Sequence, residues 1–94
     1  MQIHIINLDY LVEESEVAKV RPAHRDFLDI GYSNGIFLAS GPKVPKTGGV
    51  ILALGNIETI KEFIKNDPFY IHKIASYTFQ TFDAVKYADI LDNI

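Results

Sequence analysis

The 94-residue chain contains no cysteine. That absence excludes disulfides, thiolate nucleophiles and cysteine-held metals, and leaves a reducing compartment acceptable. Basic charge is also in short supply. Nine Lys and Arg stand against twelve Asp and Glu, for a net charge of -3. The basic residues are scattered along the chain and offer no electrostatic footprint for nucleic acid or an anionic membrane. No apolar run approaches the roughly 18 residues that span a bilayer. The start, Met1-Gln2-Ile3-His4, has neither the basic residues nor the long apolar stretch of a secretory leader. The three histidines include no His-x-x-x-His pair, so zinc spacing is missing. Internal repeats, linkers and low-complexity stretches are missing too. Together these absences predict one cytoplasmic domain over 1–94, without cofactor, metal, nucleic-acid partner or membrane partner.

What the chain does have is 48% apolar and 12% aromatic residues. That is ample for a folded core, although a chain this short buries only about two-thirds of its unfolded surface. Residues 3–10 are rich in β-branched and aromatic types and read as a first strand. Its alternation slips at Ile5-Ile6, which predicts a bulge or two covered faces. Glu13, Glu14 and Glu16 read as a solvated turn or short helix before a main helix from Val20 to about Ser33. Pro22 suits the first turn of that helix, where its missing N–H costs nothing, and Asn34-Gly35 stops it. Residues 36–39 read as a second strand ending at Ser40-Gly41-Pro42, 43–49 as a loop, and 50–54 as a third strand. Asn56 caps a second helix with Ile57, Ile60, Phe63 and Ile64 on its apolar face. Asn66-Asp67-Pro68 breaks it, and Asp67 can cap a short helix over 69–73. Residues 76–82 alternate as a fourth strand. In the tail 83–94, Val85, Ala88 and Leu91 predict a final helical turn or two.

The order β-α-β-β-α-β predicts an α+β fold with a ferredoxin-like antiparallel sheet and both helices on one face. Two helices cover only one face. Yet residues 50–54 are apolar at five consecutive positions, where a wet face demands alternation. The second face is therefore expected to pack on a copy of itself in a two-fold homodimer.

The chemistry centres on His24. Counted from Val20, the inward row of the main helix is His24, Phe27, Leu28 and Gly31. An imidazole in that row is either a packed core residue or the centre of a site. The expected fold turns it toward Ser40-Gly41-Pro42 and Asp67. A carboxylate beside an imidazole fixes its tautomer and makes a general base or acid. A serine hydroxyl and nearby backbone N–H groups can bind a polar substrate atom. Each residue also has a structural use: Asp67 as a helix cap, Ser40 as a strand end, Gly41-Pro42 and Gly48-Gly49 as turn residues. His4 reads as a surface or edge residue, and His72, Asp26 and Asp29 as facing solvent. Tyr10, Tyr32, Tyr70 and Tyr77 read as core or interface residues, one of which can line the pocket.

Four stretches carry a family resemblance. Arg21-Pro22-Ala23-His24-Arg25-Asp26-Phe27-Leu28, Phe37-Leu38-Ala39-Ser40-Gly41-Pro42, Gly48-Gly49-Val50-Ile51 and Asn66-Asp67-Pro68-Phe69 resemble, in that order, the YciI-like (YCII-related) proteins. The resemblance runs from Ile3 to about Phe82, and the tail beyond has no counterpart in it. It implies a ferredoxin-like dimeric α+β barrel and an active site built on a histidine–aspartate pair, matched here by His24 and Asp67. Ser40-Gly41-Pro42 matches the family's strand end and is expected to bind substrate. Relatives in that family include a dehydrochlorinase. The expected function is a cofactor-independent enzyme moving a proton on a small lactone-like or enolisable substrate. The alternatives are a non-catalytic module binding a small ligand, and a structural dimer in which His24 is core and Asp67 only a cap.

Overall fold

The computed structural model describes residues 1–93, so Ile94, the last residue of the expected tail helix, lies outside the described residues. The β-branched run near the start forms β1 (Gln2–Tyr10) in the middle of an antiparallel sheet. On one side lies β3 (Gly48–Leu54), with Ile51 opposite Ile6; on the other lies β4 (Ala75–Asp83), with Phe79 opposite Ile6. β2 (Phe37–Pro42) is the edge beyond β3, giving the order β2-β3-β1-β4. The first long helix, α1 (Glu14–Ser33), joins β1 to β2. The second, α2 (Ile57–Ile64), and the one-turn α3 (Pro68–Ile71) join β3 to β4. The fold is thus a small α+β unit with a four-stranded antiparallel sheet. Among the described residues no helix is long and apolar enough to cross a membrane.

Alternation along the strands puts Ile6, Leu8, Ile51 and Ala53 on one sheet face, where they meet Val17, Phe27, Phe37, Ile60, Ile64 and Phe69. Each of these side chains larger than Ala53 contributes about 1.5–3 kcal/mol on burial. The opposite face carries Ile5, Val50, Leu52 and Leu54, all half-buried, and Phe82, which is exposed. The slip at Ile5-Ile6 is therefore two apolar faces rather than a bulge, since β1 keeps continuous register from Ile3 to Asp9. The sheet's irregularity lies between Phe37 and Ala39 instead.

Several sequence expectations need correction. α1 starts at Glu14, six residues before Val20, which puts Pro22 inside the helix. The early turn is held by Val17, which is fully buried, and by the Glu16 and Val17 N–H groups donating to the Glu13 carbonyl. Glu14 and Glu16 also favour the positive helix start. Pro22 is exposed, so the Ala18 carbonyl that loses its N–H partner lies on the wet face. The strands β2 and β3 run through Pro42 and from Gly48, shortening the loop to 43–47. Gly48 can pair there because it has no Cβ, which would stand 1.8 Å from the Leu8 carbonyl oxygen. The short helix ends at Ile71 rather than residue 73, where Lys73 takes a positive φ of 53°. The tail forms a 3-10 helix over Asp89–Asn93, and Val85 and Ala88 are exposed rather than part of an apolar stripe.

His4 is the largest departure. It sits on a central strand and has no exposed surface. Its Nε2 donates to the Gly55 carbonyl at 2.6 Å, and its Nδ1 meets the Thr81 hydroxyl at 2.8 Å. The cause is topological, because the first strand in sequence is an inner strand in space.

Candidate active site

The inward row of α1 faces β2 and α3, and His24 lies where that row meets the turn before α3. Asp67 occupies the turn. Its Oδ1 accepts the Phe69 N–H at 2.9 Å, so it caps α3, as its place before Pro68 leads one to expect. The same oxygen accepts from His24 Nδ1 at 2.8 Å, and Oδ2 accepts the Tyr77 hydroxyl at 2.5 Å. Capping and imidazole binding are therefore two uses of one carboxylate. Asp67 is fully buried, while the His24 side chain keeps 12% of its surface exposed.

The imidazole is fixed twice. Its ring lies flat on Phe69, 3.9 Å between centroids and 2° between planes, and its Nδ1 is tied to Asp67. A carboxylate receiving two other donors can only accept, which assigns the Nδ1–H tautomer to neutral His24. Its Nε2 then carries the free lone pair. Among the described residues no partner meets Nε2, and it is not a buried orphan, so it opens into the adjacent cleft. Tyr77 remains a donor, because burial, and after it the Asp67 charge, push its hydroxyl pKa far above the ordinary tyrosine range.

The cleft encloses about 370 Å³ between α1, β1, the β2–β3 end and α3. His24, Ser40, Gly41 and Pro42 all line it, and Asp67 stands behind His24 rather than on the wall. The Ser40 hydroxyl shares a 2.7 Å hydrogen bond with Tyr32. Tyr10 is the tyrosine that lines the cleft, and Tyr77 supports it from behind. His72, Asp26 and Asp29 face solvent, as expected. Among the described residues no three His, Asp or Glu side chains are grouped as a metal site.

The sequence assigns no site role to Phe69, Glu14, Arg21, Arg25 or Lys46, and marks Tyr77 only as one of four core or interface tyrosines. Tyr77 shares a face with Phe79 at two-residue spacing, which marks it as inward but not as Asp67's partner. Arg21 and Arg25 flank His24 on the helix, at i−3 and i+1. Arg21 pairs with Glu14 at 2.6 Å, and Glu14, followed by Tyr10, raises the guanidinium pKa.

No curated protein matches this chain. A solved structure that it resembles is 5-chloro-2-hydroxyhydroquinone dehydrochlorinase from Burkholderia phenoliruptrix AC1100, in complex with 2,5-dihydroxybenzoquinone. The two share 16% identity over 88% of this chain and 94% of the other, with a TM-score of 0.72, a likeness of fold. Residues 1–82 match the model of the YCII-related domain. With that match extending over all four strands and the three helices α1–α3 as far as Phe82, the chain belongs to the YCII-related domain family.

Proposed function

We propose that this protein is a cofactor-independent acid–base enzyme acting on a small enolisable or lactone-like molecule. The observation that carries the reading is the 2.8 Å bond from His24 Nδ1 to buried Asp67, with Nε2 left open to the cleft. In this reading Nε2 takes a proton from a substrate carbon or hydroxyl, and the electron pair left behind forms a double bond. In an elimination that pair expels the leaving group as an anion; in an isomerisation the proton returns at another carbon. Asp67 holds the ring and stabilises the imidazolium, as a buried carboxylate does in other histidine-based sites. Ser40 hydrogen-bonds the substrate, with Gly41 and Pro42 shaping the wall beside it.

The dehydrochlorinase of similar fold supports an elimination, since removing HCl needs a base and a departing chloride and no cofactor. A suitable test offers the purified protein chlorinated hydroxyquinols, hydroxyquinones and unsaturated lactones, and follows chloride release and deuterium uptake from solvent. The wild type accelerates one of these classes. His24→Asn lowers that rate by about 10²-fold or more, the usual worth of a positioned general base. Undiminished turnover in His24→Asn removes the assignment.

We also propose a ferredoxin-like dimeric α+β barrel, in which a second copy covers the half-buried Ile5, Val50, Leu52 and Leu54. Its support is the second apolar sheet face, on the side away from α1, α2 and α3, whose apolar residues pack on Ile6, Leu8, Ile51 and Ala53.

A further inference from the structure

We infer that the cleft takes a small organic anion, with a flat apolar body and one ionised carboxylate, enol or phenol oxygen recognised by Arg25 and Lys46. This rests on the acid–base reading of His24 and adds the charge and shape of its substrate. The chain as a whole carries a charge of -3, yet its cleft is lined by Arg21, Arg25 and Lys46 against one carboxylate, Glu14. Glu14 is already committed to Arg21 at 2.6 Å. Among the described residues Arg25 and Lys46 form no ion pair with any carboxylate. Counting Asp67 behind His24, three cations face two carboxylates, and the two unpaired cations are on the wall itself.

The remaining wall is apolar, with Leu8, Leu28, Ile51 and Phe69. Such a lining suits a flat hydrocarbon or quinonoid body, and cations on the same wall give it an orientation. A neutral ligand would leave both cations without a partner, whereas an anion answers them. His24 stands between the ligand and the Asp67 charge, which keeps the two anions apart. The cations also serve the chemistry. When Nε2 takes a proton from a substrate carbon, the electron pair stays on the substrate as an enolate, and Arg25 and Lys46 stabilise the charge that develops.

Matched acid and amide pairs test the inference: benzoate against benzamide and cinnamate against cinnamamide, by calorimetric titration or saturation-transfer NMR. The wild type is expected to bind each acid about tenfold more tightly than its amide, a margin that shrinks as salt is raised. The double variant Arg25→Gln/Lys46→Gln, whose residues are exposed, folds with unchanged circular dichroism and loses the preference. His24→Asn keeps it. Equal binding of acid and amide overturns the inference, and so does a preference that survives in the double variant or vanishes in His24→Asn. These outcomes are separate from turnover: loss of activity in His24→Asn without anion preference leaves the acid–base reading standing and removes only this one.

Discussion

His24 and Asp67 are 43 residues apart in the chain and 2.8 Å apart in space. The contact joins the middle of a long helix to the cap of a one-turn helix, and Tyr77 of β4 closes it from behind at 2.5 Å. Three elements therefore converge on one buried carboxylate.

Removing the carboxylate is expected to cost stability as well as function. Asp67→Ala leaves the Phe69 N–H, the Tyr77 hydroxyl and the His24 Nδ1–H without their acceptor. At about 1–3 kcal/mol for an unsatisfied buried group, and with partial relaxation, the loss is about 3 kcal/mol. Denaturant midpoints at an unchanged m-value measure it. Asp67→Asn keeps the volume and some of the hydrogen bonds, so it is milder in stability, yet it loses the negative charge behind the imidazole.

Tyr77→Phe separates position from charge. At neutral pH the variant leaves Asp67 Oδ2 without its donor, at a cost of about 1–3 kcal/mol. The alkaline limb behaves in the opposite sense. The folded state raises the Tyr77 pKa above its ordinary 10.0 and so holds the proton more tightly than the unfolded chain. That contribution is complete below about pH 10 and is lost as pH climbs toward the folded value. Stability of the wild type should therefore fall more steeply above pH 10 than that of Tyr77→Phe, in chemical denaturation at stepped pH.

His4 supplies a contrast with His24. Both of its ring nitrogens are bonded, to Gly55 and Thr81, and it lies away from the cleft walls. His4→Ala is expected to destabilise by about 2–4 kcal/mol through the cavity and the unpaired carbonyl, and to leave ligand binding intact in the folded fraction. A binding defect equal to that of the cleft variants contradicts this division.

A charge placed on the second sheet face tests the dimer. Leu52→Lys puts an ammonium where the proposed partner packs, and light scattering is expected to move from dimer to monomer mass. A wild type already monomeric at micromolar concentration contradicts the proposed assembly.

The strands and helices were legible in the sequence because local pattern and tertiary use agree. Ile57, Ile60, Phe63 and Ile64 mark α2, and Asn56 caps it through the Glu58 and Thr59 N–H groups. The meeting of His24 and Asp67 is legible through the expected fold, which turns both toward one pocket, and through the family resemblance, which pairs them; no spacing rule spans their 43-residue separation. Features set by three-dimensional neighbours are not legible in this way. The burial of His4 follows strand order, which residue type does not encode. The start of α1 is set by the burial of Val17, against the local signal of Pro22.

The His24–Asp67 pairing is tested most sharply by the tautomer of His24, read from imidazole ¹⁵N shifts by long-range proton–nitrogen NMR. In the neutral ring the proton is expected on Nδ1 and the free lone pair on Nε2, a preference lost in Asp67→Ala. A proton residing on Nε2, or a tautomer indifferent to Asp67, would contradict the pairing.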